Sequence, residues 1–241
     1  MSKVHRYDTL ISMGAIVALA GYLLSGPAAF ILVKLVRPQP DWVSPSVFAE
    51  NYHVIQDIPY YFGFLLVGGM LMVSAGHYLS YRNDDDVNGK FMLIIGLCAS
   101  IVFCGLISFN YICQTTFVRN LALAYTPEYD PAIATFSMAN TRSLTWAIEM
   151  WGYAFLGIAT TLSSRYYKTS NSRLAVLMIL NGVVSIAAAL FTAANVAWVM
   201  TAGGLGAYFG WNLLMITIMV LIFNESRSNR KMGNDVVMQM P

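Results

Sequence analysis

The sequence predicts an all-α polytopic membrane protein, a bundle of six transmembrane helices forming one membrane domain over residues 1–241. Hydrophobic residues make up 57% of the chain and charged residues only 11%, whereas about 25% of a typical soluble domain is charged. Six apolar stretches have about the 20 residues that a helix needs to cross a bilayer. Basic residues concentrate at alternate connections. We place the spans at 9–36, 58–81, 91–113, 143–163, 174–200 and 204–224.

The first span is too long for the apolar region of a cleaved signal peptide, so we expect it to remain as an anchor. Gly26-Pro27 predicts a kink in it, because proline removes a backbone N–H. The connections at 37–57 and 114–142 are long, and we expect short helices there. The fifth connection has only a few residues, which makes the last two helices antiparallel neighbours. A polar tail follows at 225–241.

The distribution of Lys and Arg predicts the orientation. Ten of the 14 basic residues lie at the termini and in the second and fourth connections. The other four lie on the opposite side: Lys34, Arg37, Arg119 and Arg142. Cytoplasmic loops carry the excess of Lys and Arg, so we expect a multi-pass protein of the cell membrane with both termini in the cytoplasm.

The segments 58–113 and 147–200 have weak internal similarity. Aligning Gly63 with Gly152 also matches Ser74 with Ser163, and after a four-residue difference in the connection Asn110 matches Asn195. Both hairpins would have the same orientation, as in parallel repeats related by an axis along the membrane normal. Apolar segments also match by chance, so a duplicated hairpin and a chance similarity both remain open.

Polar and aromatic residues within or beside the spans indicate a candidate ligand-binding site in the half of the bundle away from the cytoplasm. An ionised side chain at the bilayer centre costs about 2.5–3.5 kcal/mol, so such groups usually face the interior and pair. Glu149 is the most affected, and we expect Arg119 or Arg142 to neutralise it. The site residues are Asp57, Asn110, Gln114, Arg119, Glu149, Trp151, Asn195, Trp211 and Asn212.

Each of these residues also has a structural interpretation. Glu149 could be a carboxylate that only ties helices together, or could lie at the headgroups if its helix begins later. Asn110 and Asn195 could make interhelical hydrogen bonds. Trp151 and Trp211 lie deeper in their helices than an interfacial belt requires. They could be lipid-facing or packing residues, or they could form walls of a cavity.

Several chemistries are not expected. His53 and His77 lie near opposite ends of the second span, which argues against a shared haem or metal ion. Cys98, Cys104 and Cys113 form no CxxC pair, and we find no catalytic motif. We therefore expect no cofactor, no metal and no assigned catalytic residue. A net charge of +2 does not favour a nucleic-acid partner.

The leading hypothesis is binding or transport of a small polar or amphipathic molecule through an outward-facing polar and aromatic cavity. One alternative is a membrane-embedded enzyme that acts on lipid, with Glu149 or Asp57 as acid/base. Another is a structural subunit of a membrane complex. The lipid bilayer is the expected partner. Gly206 and Gly210 form a GxxxG pattern, which indicates either close internal packing or a homo-oligomer interface.

Overall fold

The chain folds into helices. A computed structural model describes residues 5–82 and 85–238, and these contain no β-strand. Lys3, which contributes to the predicted charge asymmetry, lies outside the described residues. The helices in chain order are α1 (His5–Leu23), α2 (Ala29–Val36), α3 (Pro45–Asn51), α4 (Ile58–Tyr81), α5 (Val87–Ile112), α6 (Arg119–Leu123), α7 (Asp130–Phe136), α8 (Leu144–Ser163), α9 (Ser172–Ala194) and α10 (Ala202–Met238).

Five helical segments of the described chain are long and apolar enough to cross a membrane. They correspond to the first, second, third, fifth and sixth predicted spans, which supports the assignment as a helical membrane protein. The fourth predicted span forms α8, which has 20 residues but is less apolar because it contains Glu149 and several Thr, Trp and Gly residues. The five segments are Tyr7–Val36, Val54–Tyr81, Val87–Leu123, Ser172–Ala194 and Ala202–Arg230.

The long helices pack in a closed ring. Helix α1 contacts α4 and α10, α4 contacts α5, α5 contacts α8, α8 contacts α9, and α9 contacts α10. Glycines bring two of these pairs close together, as is common where membrane helices pack. A Cβ at Gly69 would lie 2.3 Å from the backbone N of Ala18, and one at Gly182 would lie 2.7 Å from the backbone O of Gly157. The ring encloses a continuous apolar core.

Gly206 and Gly210 do not take part in this internal packing. A Cβ at either position would meet nothing within 4 Å among the described residues, and both glycines are exposed. The interpretation of the GxxxG pattern as an internal contact is therefore wrong.

Two spans are interrupted by π-helical turns. Leu24–Ala28 forms one around Pro27, at the position where the sequence predicts a kink. Cys113–Val118 forms the other and continues the third span into α6, about ten residues beyond its predicted end. The fifth span instead ends early, because Asn195 has extended backbone and begins a 3₁₀ turn at Val196–Met200.

Short helices cover one end of the bundle, as predicted for the two long connections. Helices α3, α6 and α7, with the 3₁₀ turn Pro127–Tyr129, form a unit that we call the cap. Its core contains Phe48, Val118 and Ile133. The cap covers the start of α4, the end of α5 and the start of α8, which we call the capped end of the bundle.

Candidate functional site

Glu149 lies in the second turn of α8 and faces α5. Its Oε2 accepts a hydrogen bond from Asn110 Nδ2 at 2.6 Å. The hydroxyl of Tyr111 is a second hydrogen-bond donor to the same carboxylate. Asn110 and Tyr111 are buried, whereas Glu149 is only partly buried. The carboxylate is therefore held by neutral donors on a neighbouring helix, with part of its surface accessible.

Gln114 connects this carboxylate to the loop that precedes α8. Its Nε2 donates to Asn110 Oδ1 at 3.1 Å and to the carbonyl of Phe136 at 2.8 Å. Its Oε1 accepts from the backbone N of Met138 at 3.0 Å. Gln114 lies in the π-helical turn Cys113–Val118, and such turns occur frequently at functional sites.

An aromatic wall extends from Glu149 through the bundle. Tyr111 and Tyr153 are hydrogen-bonded through their hydroxyls. The ring of Tyr153 makes an edge contact with Trp211, with centroids 5.0 Å apart, and Trp211 packs on Tyr22 at 6.1 Å. Trp211 Nε1 also donates to Ser185 Oγ at 3.0 Å. The wall therefore joins α5, α8, α10, α1 and α9.

The wall reaches the protein surface at α10. Tyr208 is 60% exposed and stacks on Trp211 with centroids 6.5 Å apart. Asn212 is partly buried and hydrogen-bonded to the hydroxyl of Tyr22. Tyr153 and Trp211 also keep part of their surface accessible, so a continuous set of aromatic side chains leads from the surface to Glu149.

Asp57 forms a second polar cluster, beneath the cap. Both carboxylate oxygens accept from the hydroxyl of Tyr52 at 2.7 Å, and Arg119 Nη1 lies 3.6 Å from Oδ2. Arg119 also donates to the hydroxyl of Tyr61 at 3.3 Å. Burial, together with the adjacent Asp57 carboxylate, raises the pKa of Tyr52 above its usual value, so this hydroxyl remains a proton donor to the carboxylate.

A small cavity lies between the two clusters. Its volume is about 20 Å³, and its lining includes Asp57, Tyr60 and Gln114. That is enough space for about one water molecule. The ring of Tyr60 packs against Tyr111 with centroids 5.6 Å apart, so Tyr60 lies between this cavity and the aromatic wall.

The prediction that Arg119 or Arg142 neutralises Glu149 is wrong. Arg119 pairs with Asp57 instead, because the π-helical turn and α6 carry it beyond the end of α5 and towards the cap. Arg142 precedes α8, is exposed, and lines a different cavity on another face of that helix. In the described chain no Lys or Arg lies within 4.0 Å of Glu149.

The structure separates the predicted site residues into groups. Asn110, Gln114 and Glu149 contact each other, and Trp211 and Asn212 join them through the aromatic wall. Asp57 and Arg119 form their own pair. Trp151 is exposed and lines the second cavity on α8. Asn195 is also exposed, and its side chain accepts from the backbone N of Ala197 at 3.0 Å as a helix cap.

Sequence reasoning missed most of the aromatic wall, although the spacing contains a signal for part of it. Tyr153 follows Glu149 by four residues and so lies on the same helix face, and Tyr111 is adjacent to Asn110. Tyr22 and Ser185 have no comparable signal, because their positions depend on how α1 and α9 pack.

A further buried cluster lies at the end of the bundle opposite the cap. His77 Nε2 lies 2.8 Å from the hydroxyl of Tyr167, and the His77 ring stacks on Tyr166 at 4.7 Å. The hydroxyl of Tyr166 donates to Asp8 at 3.5 Å. These contacts tie α1, α4 and the end of α8 together. Among the described residues no group of three or more His, Cys, Asp or Glu side chains could hold a metal ion.

In comparisons with known proteins, the chain matches no family model, no curated sequence and no solved structure.

Proposed function

We propose that the chain is a six-span membrane protein that binds, and carries across the membrane, a small polar or amphipathic molecule at the Glu149 site. The sixth span in this proposal is α8. Its 20 residues correspond to about 30 Å of helix, the thickness of the bilayer core. Its place in the ring between α5 and α9 supports the same conclusion, because removing it would open the bundle.

The observation that carries the proposal is the accessible Glu149 carboxylate without a cationic partner among the described side chains. Its donors are the Asn110 amide and the Tyr111 hydroxyl, which are neutral. An unpaired carboxylate inside a membrane protein is costly, so a positively charged group of a ligand would stabilise it. Aromatic rings also attract cations, and the rings of the aromatic wall extend from beside this carboxylate to the protein surface at Tyr208. We therefore propose a ligand with a cationic head and an apolar body.

Tetraphenylphosphonium and tetraphenylborate provide a direct test, because they have the same size and shape but opposite charge. Trp211 lies in the aromatic wall, so binding should change tryptophan fluorescence of the purified protein. We expect the phosphonium ion to bind and the borate to bind much more weakly. Glu149→Gln should weaken phosphonium binding about tenfold, the loss of one charge-assisted contact.

Glu128→Gln is the matched control, because Glu128 is an exposed carboxylate on the cap. It should bind phosphonium as the wild type does. Equal binding of the two ions, or unchanged phosphonium binding by Glu149→Gln, would contradict the proposal. Uptake of radiolabelled phosphonium into proteoliposomes then tests transport. Because this lipophilic cation also crosses protein-free bilayers, the rate is measured as the excess over protein-free liposomes, and Glu149→Gln should reduce that excess.

The finer features of the architecture belong to the same proposal. The capped end faces outwards and both termini face the cytoplasm of a cell, as the distribution of Lys and Arg indicates. The pairs α4–α5 and α8–α9 form a parallel repeat, supported by the adjacency of the helices in each pair. Gly206 and Gly210, which are exposed on α10, support contact with a second copy of the chain.

A further inference from the structure

A second cavity lies at the capped end, between the start of α8 and the end of α9. Its volume is about 280 Å³, close to the lower end of the range of roughly 300–1,000 Å³ for ligand sites. Most of its wall is apolar, formed by side chains that include Ala147, Met150, Ala189, Ala193 and Val196. Glu149 does not line it, so the cavity is separate from the site described above.

Two side chains in its lining, Trp146 and Arg142, have nitrogen atoms without a hydrogen-bond acceptor. Trp146 Nε1 is a buried atom with no hydrogen-bond acceptor, and a buried donor without an acceptor costs about 1–3 kcal/mol. The guanidinium of Arg142 makes no hydrogen bond or ion pair within the described chain. No acidic side chain is among the described lining residues. The cavity therefore presents one positive charge at its rim, whereas the N–H of Trp146 is buried in the wall.

The cavity also lies where a lipid would be. Arg142 lies two residues before α8, at the level where a spanning helix leaves the apolar layer. Trp198 lies in the turn after α9 and donates its N–H to Thr192 in the cavity lining at 3.1 Å, as in the aromatic belts of membrane interfaces. A molecule bound here would have its charged end at the interface and its apolar part against α8 and α9.

We propose that this cavity binds an anionic lipid, with the anionic headgroup on Arg142 and the upper acyl chain against the apolar wall. The Arg142 guanidinium supplies charge and several N–H donors to headgroup oxygens. The site would stabilise the α8–α9 contact, and it does not depend on what Glu149 binds.

Native mass spectrometry of the full chain tests this, with phosphatidylglycerol and phosphatidylcholine of identical acyl chains as probes. We expect phosphatidylglycerol to be retained preferentially. Arg142→Gln should weaken its retention about tenfold, as expected for loss of a charge-assisted hydrogen bond. Arg37→Gln is the matched control, because Arg37 is an exposed basic residue outside the cavity, and it should bind as the wild type does.

Two further measurements define the occupant. Ala193→Phe places a ring in the cavity without changing any charge, and it should also weaken phosphatidylglycerol binding. Glycerol 3-phosphate has the anionic group but no acyl chain, and it should bind much more weakly than the lipid. Equal binding of glycerol 3-phosphate would replace the lipid with a free anion and overturn the proposal. Unchanged lipid retention in Arg142→Gln, or equal retention of the two lipids, would overturn it as well.

Discussion

Asn110 on α5 donates its amide to Glu149 on α8 at 2.6 Å, while its own carbonyl accepts from Gln114. The amide thus joins two long helices and the loop before α8 through one side chain. Its Nδ2 also lies 3.3 Å from the sulfur of Met138. Both ends of this amide are therefore bonded, and its removal would take one hydrogen bond from the Glu149 carboxylate and one from the Gln114 amide.

Asn110→Leu should lower the free energy of unfolding by about 1–3 kcal/mol, the cost of leaving buried polar groups unbonded. Glu149→Gln should cost less, because the Gln carbonyl can still accept from Asn110. Thermal unfolding in detergent measures the difference. Equal losses for the two variants would show that the Gln carbonyl does not replace the carboxylate as the acceptor for Asn110.

Arg119→Ala should be destabilising through Asp57. The Asp57 side chain is 3% exposed and the Arg119 side chain 34% exposed, so solvent screens the pair in part and we expect about 1–2 kcal/mol. Adding Asp57→Asn to Arg119→Ala should recover part of the loss. A double-mutant cycle of unfolding free energies measures this coupling. The same cycle between Arg119 and Glu149 should be additive, and coupling there would contradict the pairing in the structure.

Gly69 and Gly68 are adjacent on α4, but only Gly69 is in close contact with α1. A Cβ at Gly69 would lie 2.3 Å from the backbone of Ala18, whereas one at Gly68 would meet nothing within 4 Å. Gly69→Ala should therefore force the helices apart and cost about 1–3 kcal/mol. Gly68→Ala should be neutral or slightly stabilising, because alanine favours helix over glycine. Similar melting temperatures for the two variants would contradict the α1–α4 packing.

The sequence predicts the spanning helices well where the signal is local. A continuous apolar run is enough to identify α1, α4, α5, α9 and α10, because the length needed to cross the bilayer is a property of each segment alone. The end of the third span cannot be predicted from an apolar run alone. The π-helical turn Cys113–Val118 continues the helix through polar residues, which a hydropathy window interprets as a loop.

The residues that form the site are harder to predict from the sequence, because they depend on which helices pack against each other. The sequence identifies Glu149 as an unusual residue in an apolar segment, yet its partner is the neutral Asn110 and not Arg119. Asn195, like Asn110, is a polar residue in an otherwise apolar segment. It lies past the end of α9, however, where it caps a turn. Tyr22 enters the site only because α1 packs beside α10, and no spacing along the chain encodes that contact.

Asp86 and Arg165 form an ion pair that should make stability depend on pH. The hydrogen bond from Arg165, together with that from the backbone N of Gly89, lowers the pKa of Asp86 to about 2. An unfolded Asp has a pKa of about 3.9. The stabilisation is therefore fully present above about pH 4, and it is lost as the pH falls through about 2.

Asp86→Asn removes this charge but retains a residue that caps α5 well. Its melting temperature should be below that of the wild type at pH 7, and the two should converge as the pH approaches 2. Asp85→Asn is the control, because Asp85 is an exposed neighbour, and its difference from the wild type should be small at every pH. A constant gap for Asp86→Asn across this range would show that the ion pair does not carry the effect.

The proposed orientation places the cap outside the cell and the end of α10 inside. Glu128 on the cap and Ser228 near the end of α10 are both exposed, so Glu128→Cys and Ser228→Cys, each in a background in which Cys98, Cys104 and Cys113 are replaced by Ala, report on opposite ends of the bundle. An impermeant maleimide added to intact cells should label Glu128→Cys but not Ser228→Cys, and permeabilised cells should allow both to react. The excess of Lys and Arg at the α10 end is the physical reason, because it opposes translocation of that side. Labelling of Ser228→Cys alone in intact cells would reverse the orientation. Labelling of both variants there would place the two residues on the same side of the membrane, which would contradict three spans between them and so the proposal that α8 crosses the membrane.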